Sequence, residues 1–376
     1  LKHALLAACL FAAVPTAASA QLFGAEGLDA SWCKLTTVRQ TVIYIDDMMM
    51  TEGDTAWATH LMDKLRATLT PGEGVTVVRL SPDNGRSSEI WHGCWPSLSD
   101  ADRARDAHGV YLFQANPTTR IGGQQRFFAR DFGGALTRIY LAAKRQPAEA
   151  RIDAQNPPRK EILRALASDG ARFSDATQTI RAIIYSDLAE HSDLGDVFAP
   201  LPQPFPNIGE RLGTFLRHGV IYDFGLATDI AGGEDVPEHT RAFWSAALRT
   251  MAAVPAGMGS DLNVPNVLPV RAATYDVSLA FGTDTLDGKL ALLAGADGEL
   301  VDSWIGISRL PDAGISGTYR CAASRCRVDA TTNSGVATSS HAEALTLTGP
   351  VGGTLTGRLG VAGTAYLYKL TARSNG

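Results

Sequence analysis

TVIYIDD, residues 41–47, joins four consecutive apolar side chains (Val42, Ile43, Tyr44, Ile45) to two carboxylates, Asp46 and Asp47. A short unbroken apolar run rich in β-branched and aromatic residues is the pattern of a strand buried on both faces of a mostly parallel sheet. In open α/β sheets, ligands and partners sit in the crevice beyond the carboxyl ends of the strands. Asp46 and Asp47 stand at such an end. Met48, Met49 and Met50 follow, then the turn-prone Thr51-Glu52-Gly53-Asp54.

Beyond this strand the pattern alternates. Asp54 is a suitable N-cap, and Trp57, Leu61, Leu65 and Leu69 form one helical stripe that Pro71-Gly72 stops. VTVVRL (75–80) reads as a second strand, and a right-handed β–helix–β unit is the economical arrangement. Residues 81–106, with Pro82, Asn84-Gly85 and Pro96, read as a loop, and GVYLFQA (109–115) as a third strand. Phe127, Phe128, Phe132, Leu136, Ile139 and Tyr140 predict a helix through Arg145, weakened at Gly133-Gly134. A short helix over 160–167 precedes IRAIIYSD (180–187), a second buried strand ending on a carboxylate. The prolines at 200, 202, 204 and 206 mark an extended loop, followed by a helix over 208–216 and the strand GVIYDFGL (219–226). Asp235 and Glu238 fit a capping box for a closing helix carrying Phe243, Trp244, Ala247, Leu248 and Met251.

This alternation predicts a doubly wound, mostly parallel α/β domain over 21–254. Residues 255–269, rich in Pro, Gly and Asn without periodicity, read as a linker. Residues 270–376 change character: short alternating segments such as TYDVSLAF, KLALLAG and ALTLTG predict a separate all-β domain, a sandwich or partly closed barrel.

Residues 1–20 read as a signal peptide. Lys2 and His3 precede an apolar core, and Ala18-Ser19-Ala20 fits a cleavage site. This predicts a periplasmic or secreted protein with no membrane span after signal cleavage. The chain carries 34 Lys and Arg against 39 Asp and Glu, a net charge of −5, which argues against a nucleic-acid surface. Cys9 leaves with the leader, so Cys33, Cys94, Cys321 and Cys326 remain; an even number in an oxidising compartment predicts two disulfides. Cys321 and Cys326 are spaced for a bridge across a tight hairpin, which leaves Cys33 to Cys94. A zinc site is the rival, but the spacings match no zinc pattern.

The order of elements in residues 41–253 resembles a von Willebrand factor A-like domain. The likeness is carried by IYIDD, by IIYSD where that family has a strand ending in Thr-Asp or Ser-Asp, by GVIYDFGL, and by the helix after Asp235. It implies a metal site built from an Asp-x-Ser-x-Ser motif, a Thr from a middle loop and a later Asp, hard oxygen donors suited to Mg²⁺. Asp46 matches the first position and Asp187 the last, with Thr118 or Thr119 as the middle hydroxyl. Met48 and Met50 stand where the two serines belong, and thioethers are poor Mg²⁺ ligands. Asp47, Glu190, His191 and Asp193 enrich the same crevice, as replacement ligands or as ordinary helix-capping acids.

The binding set expected from sequence is therefore Asp46, Asp47, Met48, Met50, Thr118, Asp187 and Glu190, with Asp46 and Asp187 as metal ligands and Mg²⁺ as the cofactor. Exposed methionines would make an adaptable apolar contact; inward ones simply pack. No G-x-S-x-G, H-E-x-x-H, Walker A or G-x-G-x-x-G motif occurs. The expected role is an exported, non-enzymatic scaffold that binds a protein partner in the cell envelope. The alternatives are a metal-dependent, phosphoesterase-like hydrolase and a periplasmic solute-binding protein using the same acidic crevice.

Overall fold

The structure is a computed structural model and describes residues 31–34, 37, 39–51, 53–98, 103, 104, 108, 117–144, 159–174, 178–199, 208–226, 236–281, 283–308, 310, 312–333, 343–361 and 367–374. The expected leader, the strand over 109–115, the proline run and the cap at Asp235 lie outside the described residues.

The first domain is built on a six-stranded sheet. Its strands are β1 (Arg39–Asp46), β2 (Gly74–Ser81), β3 (Arg86–Cys94), β4 (Thr179–Tyr185), β7 (Gly219–Phe224) and β8 (Val254–Gly259), in the order β3-β2-β1-β4-β7-β8. All neighbours are parallel except β2 and β3. A two-stranded ribbon, β5 (His191–Ser192) and β6 (Gly195–Asp196), stands apart. β1 lies in the middle and is buried on both faces, as its apolar run requires. Ile43 and Ile45 pack with Leu61 and Leu65 of the helix Ala56–Thr68 and with Phe128 and Phe132 of the helix Pro117–Ala143. Val42 and Tyr44 pack on the other side with Ile162 and Leu166 of the helix Ile162–Ala167 and Trp244 of the helix Val236–Thr250.

The first helix is capped by Thr55 rather than Asp54, and the second starts at Pro117, where a polar loop over 116–125 is expected. Two strands also depart from the sequence reading. Residues 86–94 form β3, an antiparallel edge strand, where a loop is expected. Its outer half is exposed and polar (Arg86, Ser88, Glu89), so the apolar alternation that marks a strand is missing there, and a bulge opposite Val77 and Val78 breaks the period. The expected linker begins as a strand, because residues 254–259 pair with β7 and close that edge of the sheet. Pro255 and two glycines hide it; an edge strand tolerates proline.

The second domain is all-β, and of the two forms open to it the chain takes the barrel, which closes fully. Strands β9 (Arg271–Phe281), β10 (Asp284–Ala294), β11 (Ser303–Ile307), β12 (Ala313–Ala322), β13 (Arg325–Asn333), β14 (Glu343–Pro350), β15 (Leu355–Val361) and β16 (Leu367–Ser374) pair antiparallel, with β16 returning to β9. Closure leaves no sheet edge exposed. Alternate residues such as Tyr275, Val277 and Leu279 fill the interior.

The barrel docks at the amino ends of the parallel strands, opposite Asp46. The Arg39 guanidinium, at the start of β1, donates to Glu73 Oε1 and Oε2 at 3.0 and 2.9 Å and to barrel Asp302 Oδ2 at 2.5 Å. Tyr222 Oη donates to Asp302 Oδ1 (2.7 Å), and Trp304 Nε1 donates to Thr179 Oγ1 (3.0 Å). The Trp304 ring stacks on His218 with centroids 4.0 Å apart. A cavity of about 180 Å³ runs beside this seam, between Tyr222, Arg249 and Val254 on one side and Val301, Asp302 and Ile315 on the other. Both disulfides form: Cys33–Cys94 ties the turn Ser31–Lys34 to the end of β3, and Cys321–Cys326 closes the β12–β13 hairpin.

Candidate functional site

Parallel pairing brings the carboxyl ends of β1, β4 and β7 side by side. Ile45 lies opposite Tyr185 and Ile184 opposite Asp223, so Asp46 and Ser186 become neighbours just beyond the ladder. Side chains alternate along a strand. Ile45 belongs to the first packing layer, so Asp46 turns to the second; Asp223, paired with second-layer Ile184, turns to the same side. Asp46 and Asp187, some 140 residues apart in the chain, thus come together as the family resemblance implies.

They are not open to solvent. Asp46 is 0% and Asp187 6% exposed, and between them lies Lys160. Its Nζ is 2.7 Å from Asp46 Oδ2 and 2.6 Å from Asp187 Oδ1. The lysine backbone is held by a two-bond bridge to His191: Lys160 N–H donates to His191 O at 3.0 Å, and His191 N–H to Lys160 O at 2.9 Å. Ser186 Oγ donates to Asp46 Oδ2 (2.9 Å), and the Met48 N–H donates to Asp46 Oδ1 (3.0 Å). Asp187 Oδ1 also accepts the Ala189 N–H (2.9 Å). Burial pulls the lysine pKa down, but the fields of Asp46 and Asp187 outweigh it and raise it, so the ammonium stays charged. Burial raises the Asp46 carboxyl, opposed by Lys160 and reinforced by Asp187.

Asp223 completes the cluster. It is 2% exposed, and neither carboxylate oxygen has a hydrogen-bond partner among the described residues. Burial, then the charges of Asp187 and Asp46, push its pKa well above the usual carboxylate range, against the opposing pull of Lys160. The loop after β4 is held tightly: Leu188 adopts φ 55°, its N–H donates to Ser186 Oγ (3.1 Å), and its carbonyl accepts Trp244 Nε1 (2.7 Å). Gly225, after β7, has φ 100°, and a Cβ there would come within 3.1 Å of the Tyr185 ring.

The other expected residues divide. Asp47 is 2% exposed, its Oδ2 accepting from Arg79 Nε (2.6 Å) and Ser81 Oγ (3.0 Å). Glu190, fully buried, accepts the Leu163 N–H (3.0 Å) and the Ser192 hydroxyl (2.5 Å), away from the Lys160 bridge. Burial raises its pKa to about 7, against those hydrogen bonds. Met48, Met49 and Met50 are partly exposed, the last two packed on the first core layer. Thr118 lies in the first turn of the helix Pro117–Ala143, with its side chain outside what is described. Trp57, which packs on the same core layer as Met49 and Met50, stacks on Tyr185 with centroids 4.1 Å apart, and Phe224 lies 4.9 Å from Tyr185.

Sequence reasoning missed Lys160, Asp223 and Ser186. Asp223 has a signal, a carboxylate within the apolar strand GVIYDF, and Ser186 sits inside the quoted IIYSD. Lys160 has none, because a lone lysine carries no local pattern and reaches the site by tertiary contact. A divalent ion does not fit the set as it stands: an ammonium already bridges the two carboxylates, and no hydroxyl replaces Met48 or Met50. Among the described residues no group of three or more His, Cys, Asp or Glu is arranged to hold a metal ion.

No protein-family model matches the chain, and no curated protein matches it. Among solved structures it is similar to the ArnB paralog VWA2 from Sulfolobus acidocaldarius, at 9% identity and TM-score 0.31, over 84% of this chain and 65% of that one. It is also similar to the human COPII-coat protein Sec24c, at 7% identity and TM-score 0.28, over 91% of this chain and 44% of that one. The chain spans less than two thirds of either neighbour's length.

Proposed function

We propose that this chain is an exported, non-enzymatic protein-binding or scaffold protein of the cell envelope. It holds its partner at the carboxyl ends of β1 and β4 through an apolar rim of Met48, Met49, Met50 and Trp57. One observation carries this reading. The acids that a hydrolase or solute site would need are buried and engaged, Asp46 and Asp187 by Lys160 and Asp47 by Arg79, while the methionines beside them stay partly open. Methionine is flexible and polarisable, and suits a surface that must adapt to a partner. Two disulfides fit an oxidising compartment. Among the described residues no helix is long and apolar enough to cross a membrane.

The test is photo-crosslinking in an envelope fraction, with photo-methionine incorporated and a Met48→Glu/Met50→Glu variant as control. The expected result is a discrete crosslinked partner that the variant loses while keeping its melting temperature. Unchanged capture by the variant would remove the rim from the account. Hydrolysis of para-nitrophenyl phosphate that Asp46→Asn abolishes would favour the hydrolase instead.

A further inference from the structure

We propose that the cavity at the seam between the two domains binds a small aliphatic monocarboxylate, with Arg249 as its counter-ion. The cavity lies at the amino ends of the parallel strands, away from the methionine rim, and the proposal stands whether or not that rim binds a partner.

The cavity, of about 180 Å³, takes one wall from each domain. The sheet domain gives Val220 and Val254, and the barrel gives Leu300, Val301 and Ile315, all of them buried. Ala256 and Ser316 line it too, one from each domain, and both are exposed, so the space opens to solvent between them. Apolar clefts at domain interfaces that carry a few polar groups are where small ligands bind. The space is enough for about six waters, or for a ligand of about six non-hydrogen atoms.

Arg249 gives the site its chemistry. It stands in the last turn of the helix Val236–Thr250 and lines the cavity half-buried. Its Nε is buried without a hydrogen-bond partner among the described residues, an arrangement that needs an explanation. Burial lowers its pKa, and no anion's field opposes that. A guanidinium does not give up its proton in a protein, so the charge stays and is uncompensated. The helix C-terminus beside it offers only about half a unit of opposite charge.

The carboxylates on the same cavity are engaged elsewhere. Asp302 accepts from Arg39 at 2.5 Å and from Tyr222 at 2.7 Å. Asp312 Oδ2 accepts the His218 N–H at 2.9 Å and lies in the field of Arg217. What the cavity lacks is one negative charge on a small apolar body. A carboxylate matches the planar guanidinium fork with its two oxygens, and a short alkyl chain matches the walls. Inorganic phosphate brings the charge without the apolar surface.

The experiment is calorimetric titration of the full chain with butyrate, butyramide and phosphate at constant ionic strength, for the wild type, Arg249→Gln and Arg249→Lys, with melting temperatures alongside. The expected wild type binds one butyrate per chain and melts higher with it, while butyramide and phosphate bind about tenfold or more weakly. Arg249→Gln loses the butyrate site to the same degree, yet without ligand melts no lower than the wild type, because it sheds an unpaired charge. Arg249→Lys, which keeps the charge but not the fork, falls between the two. No saturable butyrate binding by the wild type overturns the proposal, and so does equal binding of butyrate and butyramide; neither measurement needs a variant to fold. A preference for phosphate overturns it as well, as does butyrate binding that Arg249→Gln leaves unchanged.

Discussion

Moving a lysine ammonium out of water costs several kcal/mol, and only close, well-oriented anions offset that. Lys160 meets the condition through two carboxylates at hydrogen-bond distance. Glu190 does not: no cation pairs with it among the described residues, and burial pushes it up to about 7 from an ordinary 4.5. The folded chain therefore binds one proton more than the unfolded chain between those values, so this group's contribution to stability falls as pH rises through 4.5 to 7. At 1.36 kcal/mol per pKa unit the loss is about 3 kcal/mol. Glu190→Gln should therefore gain on the wild type, by up to that amount, between about pH 5 and pH 8 in urea unfolding. Parallel stability curves for the two proteins would mean that Glu190 ionises as it does in water. The acids at 46, 47, 187 and 190 are all legible in the sequence; that every one is buried is not, because burial depends on what a distant segment lays over them.

Strands and helices with a clear apolar period were readable. β1, β2, β4 and β7 each carry a continuous β-branched run, and the helix Ala56–Thr68 carries its stripe from Trp57 to Leu65. β3 was not, since an edge strand half in solvent loses the alternation that would reveal it. Its hold on the domain comes partly from Cys33–Cys94, a bridge between residues 61 apart. Closing a loop of that length restricts the unfolded chain by about 4 kcal/mol, against about 2 kcal/mol for the five-residue separation of Cys321–Cys326. Replacing Cys33 and Cys94 by serine should thus lower unfolding free energy more than the same change at Cys321 and Cys326, whose hairpin is already registered by the β12–β13 ladder. Denaturant midpoints of the two double variants give the order directly. A reversed order would place the barrel hairpin, not the edge strand, as the element that needs its covalent tie.

The two domains meet through buried charge rather than apolar contact alone. Arg39 and Arg181 are both fully buried within strands of the sheet, and both reach Glu73. Burial raises the Glu73 carboxyl, but the two guanidiniums outweigh it and hold it at about 2. Asp302 of the barrel supplies the second carboxylate that this pair of arginines requires. Asp302→Ala leaves that charge short of one partner, and breaking a buried pair costs about 3–5 kcal/mol. The expected result is a lower melting temperature with early proteolytic cutting between residues 260 and 270, before the sheet unfolds. An unchanged cleavage pattern would show that the domains hold together without this network.

The meeting of Asp46 with Asp187 is what the family resemblance implies; local sequence by itself was sufficient for the fold class, the change from α/β to all-β near residue 270 and the cysteine pairing. Each follows from short-range periodicity or from elimination among few possibilities, and neither needs knowledge of distant contacts. Barrel closure, the docking of Asp302 on Arg39 and the placing of Lys160 between two aspartates came from the folded chain alone. They join residues up to 263 positions apart, and nothing in the local pattern of a lone lysine or arginine says which carboxylate it will find.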